Sequence, residues 1–240
     1  MRIVLLLIFI SILLSSCSKY QYYSLASTTS KNQNQQFLFE NDTCKISYSF
    51  KGLNGPVSIS IYNKTNKPLE VDWKKSALII GDSSSSFFEP EMILNGEVER
   101  SRYAISNNIT GTVSQPESID FIPPQSAVIK QSTRYIRTKF VKAAGEAREL
   151  KEDQQKLRAY KFTKENSPVG FRIYLTLISD NNSFNIEHSF YATEVIETSA
   201  PLINPGTKGS NFFVKEKSGF GKASPFIFTV TLTALLVAAF

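Results

Sequence analysis

The chain has few of the residues that most often carry out chemistry. Its 240 residues include two cysteines and a single histidine, His188. No G-x-S-x-G elbow, no calcium loop of the D-x-[DN]-x-[DN]-G type and no glycine-rich phosphate loop occurs. His188 alternates with Ile186 and Phe190, which predicts a packed side chain on a sheet rather than a general base. The sequence therefore predicts a protein that is not an enzyme and that uses no cofactor or metal.

One catalytic alternative remains open, because acidic residues occur in pairs two positions apart. The pairs are Glu89 with Glu91 and Glu97 with Glu99. Paired carboxylates act as acid and base in glycosidases, so a hydrolase that acts through these acids is an alternative hypothesis. Acids at this spacing are more often on a solvated strand or loop.

The N-terminus has the composition of a secretory signal. Arg2 gives a positive start, and residues 3–14 are apolar apart from Ser11. This run is shorter than the roughly 20 residues of a membrane-spanning helix, which favours cleavage. The residues Leu14-Ser15-Ser16-Cys17 that end it resemble the lipobox of bacterial lipoproteins.

The lipobox resemblance implies a lipoprotein signal peptide over residues 1–16 and a lipid on Cys17. The membrane lipid would be attached to the cysteine sulfur, cleavage would precede Cys17, and the new amine would be acylated. The alternative is an ordinary cleavage site with an incidental cysteine. Ser18 and Lys19 follow, without an acidic residue, and by resemblance to other lipoproteins this favours the outer over the inner membrane of a bacterial envelope.

The charge distribution indicates which classes of partner to expect, and the cysteine count indicates whether disulfides can form. The net charge of +6 is spread along the chain, whereas nucleic-acid binders cluster their basic residues, so we expect no nucleic-acid partner. An anionic membrane or envelope surface suits the positive balance better. Lipidation of Cys17 would leave Cys44 without a partner in the chain, which excludes an internal disulfide framework. We expect Cys44 to be a buried small hydrophobe.

Short segments of β-branched and aromatic residues begin at Phe37 and predict strands. Residues 170–179 and 183–197 flank Asp180-Asn181-Asn182 and form the clearest hairpin. Residues 17–36 are polar and aperiodic and predict a lipidated tether. Residues 143–160 are rich in helix-forming residues and predict an amphipathic helix. The expected fold is mainly β, with residues 37–215 resembling an immunoglobulin-like antiparallel β-sandwich that carries this one inserted helix.

The C-terminus is a second candidate membrane contact. A basic linker with Lys217 and Lys222 leads to residues 226–240, which carry no charge. Residues 216–240 are therefore interpreted as a linker and an apolar membrane-associated tail, with a buried strand as the alternative. Tyrosines at 20, 22 and 23 suggest contact with the headgroup layer. Asn-x-Ser/Thr sites at 41, 63, 108 and 181 leave open a eukaryotic lipid-anchored surface glycoprotein.

Together these features are similar to those of uncharacterised bacterial envelope lipoproteins. The resemblance assigns a role to Cys17 and brings no known activity. We expect a membrane-anchored lipoprotein that acts as a non-enzymatic binding or scaffold module, with an envelope protein or polymer as its possible partner.

Overall fold

The protein is mainly β, as the sequence predicts. A computed structural model describes residues 18–28, 31–33, 36–89, 93–98, 109–114, 117–143, 147–152, 155–202 and 208–217. The strands are β1 (Ser18–Ser27), β2 (Lys31–Gln33), β3 (Gln36–Glu40), β4 (Cys44–Ser49), β5 (Pro56–Asn63), β6 (Leu69–Ile80), β7 (Ser83–Ser86), β8 (Ile93–Val98), β9 (Ile109–Ser114), β10 (Ile119–Ile122), β11 (Ala127–Tyr135), β12 (Arg148–Glu152), β13 (Gln155–Lys161), β14 (Gly170–Ser179), β15 (Asn182–Thr198) and β16 (Asn211–Lys217).

The strands form two large antiparallel sheets and a separate hairpin of β8 and β9. The larger sheet runs in the order β10-β6-β14-β15-β1-β16, with β7 beside β6, β13 beside β15 and β12 beside β13. The smaller sheet runs in the order β11-β5-β4-β3-β2. Apolar and polar residues alternate along these strands, so that one face of each strand is buried. In β5, Val57, Ile59 and Ile61 are fully buried, while the serines between them are partly exposed.

The two large sheets pack against each other through aromatic side chains. Phe50, which follows β4, lies 5.2 Å from Phe171 of β14 and 5.0 Å from Phe190 of β15, measured between ring centroids. Phe37 and Tyr48 of the smaller sheet also contact Phe190, at 5.1 and 5.3 Å. Such pairs each add about 0.5–1.5 kcal/mol to the burial of their surface, so this cluster joins the sheets into one core.

The hairpin of β14 and β15 is confirmed. Its register runs from Gly170 opposite Tyr191 to Ser179 opposite Asn182. The two turn residues, Asp180 and Asn181, have φ values of 49° and 63°. Asp and Asn tolerate this left-handed geometry, and turns of this hand match the twist of the strands that they join.

The predicted helix over residues 143–160 is wrong. The described part of this segment contains β12 and β13, which pair with Leu150 opposite Leu157. In β13, Leu157 and Ala159 are buried, and the strand pairs in turn with β15. Helix propensities differ by tenths of a kcal/mol per residue, so pairing and burial in the sheet outweigh them.

The predicted aperiodic tether is also wrong for residues 18–27. These residues form β1, which pairs with β15 on one side and with β16 on the other. Gln21 and Tyr23 are each 1% exposed, so this polar-looking segment contributes to the interior of the sheet. Cys17, the signal segment and the apolar tail lie outside the described residues.

Candidate functional site

The first and last described residues of the chain are partners in the sheet. Ser18 at the start of β1 pairs with Lys217 at the end of β16, and β15 ends beside them with Thr198 opposite Tyr20. Neighbouring strands lie about 5 Å apart. The chain therefore enters β1 and leaves β16 at neighbouring positions of the sheet. We call the edge formed by the start of β1 and the ends of β15 and β16 the terminal end.

A cleft of about 450 Å³ opens at the terminal end. Its walls come from β1, β12, β13, the end of β15 and the loop before β12. Three cationic and two acidic side chains are among the lining residues, which are Lys19, Tyr20, Phe140, Glu149, Lys156, Leu157, Arg158, Glu197, Thr198 and Ser199. The three cations are all exposed, so they are free to meet a ligand from solvent.

One wall of the cleft is fixed by a buried glutamine. The Gln21 amide donates to the Val141 carbonyl at 2.8 Å and accepts from the Val141 N–H at 2.8 Å, as a paired strand would. It also donates to the Glu197 carboxylate at 2.7 Å. The Phe140 N–H donates to Glu216 of β16 at 2.8 Å. These bonds hold the loop around Phe140 against β1 and β16.

The tyrosines of β1 have different roles from the one expected. Tyr22 and Tyr23 are 7% and 1% exposed, so their predicted contact with a headgroup layer is wrong. Burial raises the pKa of the Tyr23 phenol to about 12, which keeps it neutral. Tyr20 lines the cleft, stacks on Tyr22 with ring centroids 6.2 Å apart, and lies 5.6 Å from the Lys215 ammonium.

His188 is a packed residue, as predicted. It is 2% exposed, its Nδ1 lies 2.6 Å from the Tyr48 hydroxyl, and its ring lies 4.6 Å from that of Phe39. Burial lowers the pKa of His188 from 6.5 to about 4, so the imidazole is neutral at physiological pH. It has no access to a substrate in solvent.

Cys44 is buried, as predicted. Its side chain is fully covered, and burial raises the pKa of the thiol to about 11. A thiol of this kind reacts slowly because the thiolate is the nucleophile. Cys44 is therefore a core residue rather than a redox site.

Glu89 holds two segments together. Its Oε1 accepts a hydrogen bond from the Thr133 N–H at 3.2 Å and lies 3.6 Å from Arg134 Nε. Glu91 and Glu99 lie outside the described residues. Among the described residues, no three His, Cys, Asp or Glu side chains are grouped so as to hold a metal ion.

The structure bears on one of the four candidate glycan sites and on helices that could cross a membrane. The Asn63 side chain is fully buried and donates to the Lys67 carbonyl at 2.7 Å and the Ile122 carbonyl at 3.1 Å, so it is not an accessible glycan acceptor. No helix within the described ranges has the length and apolarity needed to cross a membrane.

Sequence reasoning did not identify the cleft, because it placed Lys156 and Arg158 on a helix. A signal was present: these two cations alternate with the buried Leu157 and Ala159, which is the period of a strand. Lys19 belongs to the segment predicted as a tether, and β1 gives no alternating signal, because Gln21, Tyr22 and Tyr23 are buried in succession. Such short runs are visible only when the partner strand is known.

No protein-family model, no curated protein and no solved structure matches this chain. The features that bear on function are the lipobox resemblance, the pairing of Ser18 with Lys217 and the charged cleft beside this pair.

Proposed function

We propose that the protein is a lipoprotein of the bacterial cell envelope, anchored through acyl chains on Cys17. Its β-domain acts as a non-enzymatic binding or scaffold module for an envelope protein or polymer. The observation that carries this proposal is the pairing of Ser18 with Lys217. This pairing supports the proposal because the residue that follows Cys17 and the last described residue before the C-terminal segment are neighbours at one end of the sheet.

Two hydrophobic attachments at one end suit a lasting anchor. A single acyl chain gives marginal, reversible binding to a bilayer, whereas two signals give stable attachment. Acyl chains on Cys17 provide one signal and residues 226–240 a second. Because Ser18 and Lys19 follow the cysteine without an acidic residue, the outer membrane is the favoured destination.

The architecture supports a binding role. We propose an immunoglobulin-like arrangement, supported by two antiparallel sheets around one aromatic core. A rigid body of this kind presents its turns and sheet faces to partners without moving parts. The Glu89 carboxylate contacts Thr133 and Arg134, so we assign it a structural role rather than a catalytic one.

The decisive experiment compares the two cysteines. In the bacterial host, Cys17→Ala should abolish metabolic labelling by fatty acid and should change the membrane fraction of the protein. Cys44→Ala is the matched control, since that residue lies in the core, and it should retain the label. Labelling that persists in Cys17→Ala would refute the lipid anchor. Crosslinking in the intact envelope followed by mass spectrometry would identify the partner.

A further inference from the structure

We propose that the cleft at the terminal end binds the headgroups of anionic phospholipids, so that this end of the β-domain lies on the bilayer. The proposal rests on the anchor at Cys17 and adds to it an orientation and a ligand. The site consists of Lys19, Lys156 and Arg158, which line one cleft at the terminal end.

In the sequence, Cys17 directly precedes strand β1, so no flexible linker separates the anchor from the domain. Ser18 already belongs to β1 and pairs with Lys217. One extended residue spans at most about 3.6 Å, so Cys17 cannot hold the sheet far from the lipid to which it is attached. An acylated Cys17 therefore brings the terminal end to the headgroup layer.

The volume and the charged side chains of the cleft suit a phosphate-containing headgroup. Its volume of about 450 Å³ lies in the usual range of small-ligand sites, roughly 300–1,000 Å³. Lys19, Lys156 and Arg158 provide ammonium and guanidinium donors, which are the groups that bind phosphate. The Glu197 carboxylate accepts a hydrogen bond from Gln21 at 2.7 Å, so part of its charge is satisfied within the protein.

A further basic side chain lies beside the cleft. Lys215 of β16 is exposed and lies over the Tyr20 ring, so a fourth cation stands next to the site on the adjoining strand. An anionic leaflet attracts basic residues close to its surface. Counting Lys215, four cations face the two carboxylates of the lining, Glu149 and Glu197, so the net charge of the site is positive and complements the surface that the anchor would bring to it.

The same geometry defines the opposite pole of the domain. β15 runs from Asn182 to Thr198, a length of roughly 50 Å at the usual rise of a strand. Its C-terminal end is at the terminal end, so the turn of Asp180 and Asn181 lies at the far end of the same strand. This turn should face the aqueous compartment.

The test uses the full-length acylated protein in vesicles that contain lipids carrying a spin label at the headgroup. Ser183→Cys and Ser199→Cys place one exposed thiol at each end of β15, and each is labelled with a fluorophore. Because Ser199 lines the cleft, the exposed Pro201→Cys is labelled as a second probe of the same end and should give the same result. Cys44 is fully buried and serves as the unlabelled background. Vesicles of phosphatidylethanolamine and phosphatidylglycerol are compared with vesicles in which phosphatidylcholine replaces the phosphatidylglycerol.

We expect the fluorophore at position 199 to be quenched and that at position 183 to remain bright, with a larger difference in the phosphatidylglycerol vesicles. Each basic residue near an anionic surface strengthens association roughly fivefold. The triple substitution of Lys19, Lys156 and Arg158 by Gln should therefore remove most of the dependence on phosphatidylglycerol.

The matched control replaces three exposed lysines elsewhere in the domain, Lys45, Lys74 and Lys164, by Gln and should leave quenching unchanged. Equal quenching at positions 183 and 199, or quenching that is indifferent to phosphatidylglycerol, would overturn the headgroup site. An equal effect of the two triple variants would also overturn it. Mass spectrometry of Cys17 separates the two proposals: protein without acyl chains refutes both, while acylated protein without the orientation refutes only this one.

Discussion

Stability between pH 7 and pH 5 should depend on one side chain. His188 is the only histidine in the chain, and burial lowers its pKa from 6.5 to about 4 in the folded protein. The unfolded chain takes up a proton near pH 6.5, while the folded protein does not. The contribution of His188 to the free energy of unfolding is therefore fully present above pH 6.5. It is lost progressively as the pH drops from 6.5 toward 4.

The size of this effect follows from linkage between proton binding and folding. With pKa values of 6.5 unfolded and about 4 folded, the protein should be roughly 2 kcal/mol less stable at pH 5 than at pH 7. The window excludes most other titrations, because ordinary carboxyl groups titrate below it and lysine and tyrosine above it. The side chain is 2% exposed, so solvent screening reduces the effect little.

The measurement is urea unfolding of the full-length protein in a mild nonionic detergent at pH 7 and pH 5. Trp73 is the sole tryptophan and is 1% exposed, so its fluorescence reports loss of the core. His188→Phe should be less stable at pH 7, because the Tyr48 hydroxyl loses its partner, but it should lose the slope between the two pH values. Tyr48→Phe keeps the histidine and should keep most of the slope. If wild type and His188→Phe show the same slope, the reasoning fails.

Two substitutions test how the terminal end and the far turn are held. Gln21→Ala should destabilise the fold by at least about 2 kcal/mol in the same assay, because it leaves the buried polar groups of Val141 without partners, whereas the exposed Gln131→Ala should change little. Similar losses in both would contradict the assigned role of Gln21. Asn181→Val should cost about 1–2 kcal/mol because φ is 63° there, while Asn181→Gly should be neutral. Equal stability of the two Asn181 variants would show that this turn is not restrained.

The strands that follow Phe37 could be predicted because their local pattern and their tertiary role agree. In β4, Cys44, Ile46 and Tyr48 are buried and alternate with more exposed residues, so period two is visible in the sequence. Residues 69–73 and 77–80 are two stretches rich in apolar residues and separated by polar residues, yet both fall within the single strand β6. The Asp72 carboxylate accepts hydrogen bonds from the Lys74 and Lys75 N–H groups, which carries the chain through an irregular stretch that composition does not show.

The wrong predictions of a tether and of a helix share a physical cause. Residues 18–27 and 155–161 are rich in polar or helix-forming side chains, and each forms a strand that pairs with β15, which is distant in sequence; β12 then pairs with β13. For Gln21, burial is possible only because Val141 and Glu197 satisfy its amide. No local pattern specifies such partners, so the cleft that these strands form could not be predicted.

The position of β1 in the sheet changes what a lipid on Cys17 would do. A flexible tether would let the domain tumble and would leave its orientation to chance. Instead, β1 is bonded on both sides, so a force or restraint at Cys17 passes directly into β15 and β16. The membrane then selects among orientations of a rigid body, and a few cations at the terminal end suffice to favour one of them. A partner of this module would be met at the far turn or on the sheet faces, roughly one strand length of β15 away from the lipid.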